Sequence, residues 1–177
     1  MRRHRSKGKA PRGASFLHAG MRGAVAVALF VGIQTPAFSQ SMKVRATGFS
    51  DVSFGTVLNL QTTARRSQSL CVYANSNGNR YSVRAAGSGP GGAFVLNDGP
   101  NALTYGVEWS STSGQSSGTS VNANTPLTGQ VSTANNQNCN SGPPTTASLI
   151  IALRPADLGS ALQGNYSGTL SVTVSPE

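Results

Sequence analysis

The chain has 177 residues and a formal net charge of +9, although charged residues make up only 11% of it. The charge is concentrated at one end: seven Lys and Arg and no acid precede residue 40, whereas the remainder holds seven Lys and Arg against five Asp and Glu. A surplus of two charges does not provide the basic surface that phosphate binding requires, so the composition argues against a nucleic-acid-binding domain.

The first 39 residues have the layout of a secretory signal peptide. Residues 24–33 form an apolar run that is too short to span a bilayer, and basic residues precede it. Small residues follow at Ala37 and Ser39, so we predict cleavage after Ser39. Met21 is an alternative start, and a disordered basic arm is the alternative to a signal. We expect secretion through the periplasm, and a mature chain, residues 40–177, that forms one domain without a membrane span.

Short runs of β-forming residues, separated by turns rich in Gly, Asn and Pro, recur along the predicted domain. They predict an all-β sandwich or barrel. Residues 110–146, rich in Ser, Thr, Asn and Gly, are expected to form long loops around one or two weak strands, and Pro155–Gly164 favours a short helical turn. In chain order the predicted strands are Lys43–Thr47, Asp51–Leu58, Ser69–Ala74, Arg80–Ala86, Ala93–Leu96, Leu103–Trp109, Ser148–Leu153 and Tyr166–Val174.

The alternation of apolar and polar side chains assigns faces to the first and last predicted strands. Leu170, Val172 and Val174 alternate with polar residues, which predicts a strand with one buried face. Met42, Val44 and Ala46 alternate in the same way. Each of these predicted strands therefore has one apolar face, which a core or a partner must cover.

Two aromatic residues on one strand face have two interpretations. Tyr105 and Trp109 could form a platform on which a sugar ring stacks, or they could both belong to the core. Val107 lies between them on the same face, which favours the core.

The two cysteines of the chain, Cys71 and Cys139, both lie in the predicted domain. In an oxidising compartment an isolated pair favours a disulfide, and only one intramolecular pairing is possible. A pair of buried free thiols is the alternative.

The residues needed for common catalytic mechanisms are scarce. Both histidines, His4 and His18, lie in the leader, so the mature chain lacks the usual general base and the commonest metal ligand. Asp98 lies in a turn sequence, and Asp157 lies in the first turn of the predicted helix, where it complements the backbone N–H groups. Residues 165–167 match a glycosylation sequon, a pattern that often arises by chance. We predict no catalytic residues, cofactor or metal, and no enzymatic activity.

Three sequence blocks give the chain a family resemblance. They are "DVSFGTV" (Asp51–Val57), "LCVYANSNGNRYSVRAAGSG" (Leu70–Gly89) and "GNYSGTLSVTVSPE" (Gly164–Glu177), and "LTYGVEW" (Leu103–Trp109) agrees in character. With these blocks the chain resembles the spore coat protein U domain family, which includes subunits of archaic chaperone–usher pili. The resemblance covers most of the predicted domain, although a cysteine that family members often carry near the start is missing.

The resemblance implies an immunoglobulin-like antiparallel sandwich that lacks its last strand. A periplasmic chaperone would lend that strand, and at the outer-membrane usher a neighbouring pilus subunit would replace it. The row Leu170, Val172 and Val174 would then be the acceptor strand. The resemblance further implies a subunit of a cell-surface fibre that serves adhesion and biofilm formation.

Two points stay open from the sequence. The segment with Met42, Val44 and Ala46 could be a short donor strand, or it could be the first strand of its own domain, which would leave the subunit at a fibre tip or unable to polymerise. The alternative function is a secreted, complete and monomeric binding module, for example for a carbohydrate.

Overall fold

The computed structural model describes residues 41–177. The predicted leader, its cleavage after Ser39 and the alternative start at Met21 lie outside the described residues. No helix within residues 41–177 is long and apolar enough to cross a membrane.

The described residues form antiparallel sheets, which confirms the predicted all-β sandwich class. One sheet has five strands in the order β1-β2-β9-β6-β7, a second has three in the order β10-β3-β8, and β4 and β5 form a separate hairpin. One α-helical turn, α1, spans Pro155–Leu158, and two short 3-10 turns span Asn77–Asn79 and Pro90–Gly92. The strands are β1 (Val44–Thr47), β2 (Ala64–Ala74), β3 (Arg80–Gly87), β4 (Val95–Asp98), β5 (Asn101–Thr104), β6 (Gly106–Ser110), β7 (Thr119–Val121), β8 (Leu127–Val131), β9 (Ala147–Leu153) and β10 (Leu170–Pro176).

The core lies between the five-stranded and the three-stranded sheet. Strand β9, with the sequence ASLIIAL, is buried at every position because it is central in its sheet and covered on both faces. From the opposite sheet, Tyr81, Val83 and Ala85 point into the core and are at most 1% exposed. These three residues alternate with more exposed ones along β3, which is the two-residue period of a strand with one buried face.

Trp109 and Tyr81 join the two sheets at the centre of the core. The indole Nε1 of Trp109 donates a hydrogen bond of 3.2 Å to the Tyr81 hydroxyl, and the two rings meet edge to face with centroids 6.4 Å apart. Burial raises the pKa of Tyr81 to about 12, although this hydrogen bond opposes the shift. Tyr105 is also buried. The core interpretation is therefore right, and the sugar platform is wrong, because neither ring presents a face to solvent.

One predicted strand, Asp51–Leu58, does not form. The chain from residue 48 to residue 59 has no regular secondary structure, and Gly55 has a φ of +61°, which interrupts an extended backbone. The predicted strand Leu103–Trp109 is divided at Tyr105, where the chain leaves the hairpin with β4 and joins β9. Strand β2 begins at Ala64, five residues before the prediction, because it pairs with β9 along that whole length.

Residues 110–146 form long loops around the short strands β7 and β8, as predicted. Their last part is held to β2 at Val72. The Thr146 hydroxyl accepts from the Val72 N–H at 2.9 Å and donates to its carbonyl at 3.0 Å, while Ser132 donates to the same carbonyl at 2.6 Å. The disulfide between Cys71 and Cys139 lies beside these bonds and confirms the predicted pairing.

Removing the disulfide should destabilise the domain, because Cys71 and Cys139 are 68 residues apart and the bond closes a long loop in the unfolded chain. We expect Cys71→Ala/Cys139→Ala to lower the free energy of unfolding by about 4 kcal/mol in urea titrations. Reduction should lower the stability of the unmodified protein similarly and leave the double variant unchanged. An unchanged urea midpoint in the double variant would contradict this.

Candidate functional site

Strand β10 has a neighbour on only one side. It pairs with β3 along its whole length, from Leu170 opposite Gly87 to Pro176 opposite Tyr81. On its other side it has no sheet partner among residues 41–177. The backbone N–H and C=O groups along that side are therefore free to pair with another strand.

The apolar row of β10 faces the core but is not sealed within it. Leu170, Val172 and Val174 pack against the core and are only half-buried, whereas Tyr81 and Val83 on the adjacent strand are at most 1% exposed. The sequence therefore identified the inward row of the last strand. Half-burial on an inward face means that part of its cover is missing.

A groove of about 1600 Å³ borders the first half of β10. Core side chains form its floor, and Val172 and Leu170 of β10 form one border. A segment without regular structure, residues 49–60, which we call the strap, also lines the groove, as does the return segment, residues 161–169. The floor residues are Leu103, Tyr105, Leu149, Ile151, Leu153 and Leu158.

The strap is held mainly by side chains of β2. The Ser50 N–H donates to Gln68 Oε1 at 2.9 Å, and Arg66 donates to the Ser53 carbonyl at 3.3 Å. The Arg66 guanidinium also lies 5.8 Å from the centroid of the Phe54 ring, as in a cation–π contact. With no hydrogen bond between its backbone and that of a neighbouring strand, the strap covers the groove without completing a sheet.

Several large apolar side chains at the border of the groove stay in water. Leu58 is 88% exposed and Leu162 is 65% exposed, while Phe54 and Val57 of the strap pack partly against the core. The return segment itself is anchored, because Asn97 and Ser167 exchange backbone hydrogen bonds of 2.8 and 3.0 Å. Exposed apolar residues that line one groove mark an interaction site.

The first predicted strand lies in its own sheet. Val44–Thr47 forms β1 and pairs antiparallel with β2, with Val44 opposite Ala74 and Thr47 opposite Cys71. Val44 and Ala46 pack against the core, whereas Met42 is 58% exposed. The segment is therefore the first strand of its own domain, which was one of the two interpretations of the sequence. Its role as a donor strand stays a prediction.

The acidic residues do not converge on a site. Asp98 is the last residue of β4, directly before the turn to β5, and Asp157 lies in the first turn of α1, as the sequence indicated. Within residues 41–177, no group of three His, Cys, Asp or Glu is placed to hold a metal ion. The sequon residue Ser167 takes part in the backbone bridge to Asn97.

Glu108 is the acid whose environment the sequence did not reveal. It lies on the outer face of β6, yet it is only 6% exposed, because the loop before β7 covers it. Arg65 donates to its Oε2 at 2.7 Å, and the Gly118 N–H donates at 3.0 Å. A Cβ at Gly118 would lie 2.4 Å from the Trp109 carbonyl oxygen, so only glycine permits this approach. Burial alone would raise the pKa of Glu108, but these hydrogen bonds and the charges of Arg65 and Arg154 lower it.

The lowered pKa of Glu108 gives a prediction for stability in acid. Glu108→Gln should lower the free energy of unfolding at pH 7 by about 1–3 kcal/mol, because a buried carboxylate with charged donors is lost. The carboxylate stabilises the fold fully above its ordinary pKa of 4.5 and stops doing so as the pH falls through the lower native pKa. The difference between the two proteins in urea titrations should therefore disappear in acid.

Asp51→Asn, which removes an exposed carboxylate, is the matched control. Its stability at pH 7 should stay close to that of the unmodified protein. If Glu108→Gln lowered the stability at pH 7 no more than Asp51→Asn does, the ion pair between Glu108 and Arg65 would have no part in stability.

Comparison with known proteins identifies no family for the chain. No known family profile matches the sequence, and no curated protein matches it. Among solved structures, one match is to a chain of "Chaperone-tip adhesin complex is vital for synergistic activation of CFA/I fimbriae biogenesis", with a TM-score of 0.47 and 14% sequence identity. The match covers 77% of this chain and 41% of that chain. A likeness at that TM-score does not establish a common fold, so function is inferred below from the groove.

Sequence reasoning found the β10 row but missed the floor and the strap. Leu149, Ile151 and Leu153 alternate along β9 and were predicted as strand residues, but the alternation does not show that they line a groove. The strap was predicted as a strand. Gly55 is the signal against a strand in the sequence. Val52 and Phe54 have the two-residue spacing of a strand, but Val57 follows Phe54 after three residues, with Gly55 between them.

Proposed function

We propose that this chain is a structural subunit of a secreted surface fibre, assembled by donor-strand complementation as in archaic chaperone–usher pili. In this proposal, an extended segment of another polypeptide enters the groove and pairs with the free side of β10. The observation that carries the proposal is an apolar groove of about 1600 Å³ beside a strand with only one neighbour.

The chemistry of the groove favours an extended peptide over a small polar ligand. The floor is formed by Leu, Ile and Tyr side chains, and among residues 41–177 Asp51 is the one charged residue that lines the groove. A strand offers both things that this surface lacks: backbone groups for β10 and alternate apolar side chains for the floor. The domain would then be an immunoglobulin-like sandwich whose last strand comes from outside.

The energies are of the right size for assembly. About four apolar side chains of a donor strand, each contributing roughly 1.5–3 kcal/mol, would stabilise the domain by about 6–12 kcal/mol. The total stability of a domain is about 5–15 kcal/mol. A subunit without its donor should therefore be marginally stable, and a complemented one should be durable.

The same proposal defines the partners. A strand of a periplasmic chaperone would fill the groove first. At an outer-membrane usher, a strand of a neighbouring subunit would replace that of the chaperone. The resulting fibre would serve adhesion and biofilm formation. The proposal assigns no enzymatic role to the chain. The alternative of a complete binding module loses its proposed sugar platform, since Trp109 and Tyr105 are in the core.

The test is to supply the strand in the same polypeptide. A copy of residues 40–48, joined after Glu177 through an Asn-Gly turn, can fold back beside β10. We expect it to raise the Tm by at least about 10 °C, because several apolar sites become covered. It should also increase the protection of β10 amides in hydrogen exchange.

The control carries the same extension with its three apolar residues replaced by serine. It should melt like the chain without an extension. If both extensions had the same effect, and the unextended chain were a monomer with protected β10 amides, the groove would not be a strand acceptor.

A further inference from the structure

A second pocket, of about 430 Å³, lies on a different part of the domain and shares no lining residue with the groove. It is lined by Arg45 of β1, Tyr73 of β2 and the carboxamide side chains of the segment NNQNCN, residues 135–140, which we call the amide loop. It is a shallow depression with a mainly polar lining, and it opens widely to solvent.

Arg45 and Tyr73 are held side by side by strand pairing. They are directly opposite each other in the β1–β2 ladder, so their Cβ atoms are separated by about 5 Å. Among residues 41–177, the Arg45 side chain forms no ion pair and does not stack on an aromatic ring. Its guanidinium is exposed, and its hydrogen-bond donors are available to a ligand.

The amide loop is fixed in place before any ligand arrives. Cys139 ties it to Cys71, two residues before Tyr73. Within the loop, the Asn136 side-chain oxygen accepts from the backbone N–H groups of Asn138 and Asn140 at 3.1 and 3.3 Å. Gln137, Asn138 and Asn140 are exposed, and their side-chain amides form no hydrogen bond to the described part of the protein.

These groups together fit a sugar that carries a carboxylate. None of the five acidic residues of the chain lines the pocket, so its charge is that of Arg45. A guanidinium matches a carboxylate with two parallel hydrogen bonds, carboxamides donate to and accept from hydroxyl groups, and a tyrosine ring packs against the apolar face of a sugar. We propose that this pocket binds an acidic saccharide, with Arg45 on the carboxylate and the amide loop on the hydroxyl groups.

The test is an NMR titration of the full chain with trigalacturonate, which carries a carboxylate on each ring. We expect the backbone signals of the amide loop, Arg45 and Tyr73 to shift. Arg45→Gln should weaken binding by about tenfold or more, because the charged hydrogen bonds to the carboxylate are lost. Arg84→Gln, which changes an exposed arginine on β3, should leave the affinity unchanged.

Two control ligands separate an acidic-sugar site from other sites. The fully methyl-esterified trisaccharide has the same rings without the charge, and inorganic phosphate has charge without the rings; both should bind at least about tenfold more weakly. Equal binding of the ester, equal binding of phosphate, an unaffected Arg45→Gln or an amide loop whose signals do not move would each overturn the proposal. Since none of these measurements depends on the groove, the strand-acceptor proposal can fail or succeed independently.

Discussion

The free side of β10 is the constraint on which the arrangement of the groove depends. A strand with one neighbour leaves a row of backbone donors and acceptors unpaired, and here it also leaves the inward row of Leu170, Val172 and Val174 half-covered. Exposed strand edges invite pairing with another chain, and natural proteins usually cover or shorten them. The strap contributes cover at this side, but it forms no ladder with β10.

The core of the sandwich beneath and beyond the groove is fixed by several independent interactions. Strand β9 is buried along its length, Trp109 and Tyr81 join the two sheets, and Glu108 is held by Arg65 and the Gly118 N–H. The disulfide and the bonds to Val72 hold the chain that returns to β9. These interactions hold the rest of the core in place without a donor strand. The domain can therefore keep a defined groove beside β10.

The proposed assembly and the proposed ligand binding use separate parts of the domain. A partner that fills the groove stabilises the folded state by mass action, so assembly and folding are coupled there. The pocket beside the amide loop depends instead on the β1–β2 ladder and the disulfide, neither of which lines the groove. The proposed fibre contact and the proposed saccharide contact can then be occupied together without sharing a residue.

The sequence by itself determined the all-β class, the disulfide, the helical turn that begins at Pro155 and the inward row of β10. These follow from local patterns: a two-residue alternation, turn residues at short intervals and a lone cysteine pair. Only the tertiary structure decided which edges are left open, that the strap is not a strand, and that Glu108 is buried. Each of these features depends on residues that are far apart in the chain. Strand β10 and residues 49–60 line the same groove, and Glu108 contacts Arg65 and Gly118. The alternation within one strand carries no information about which neighbour covers it.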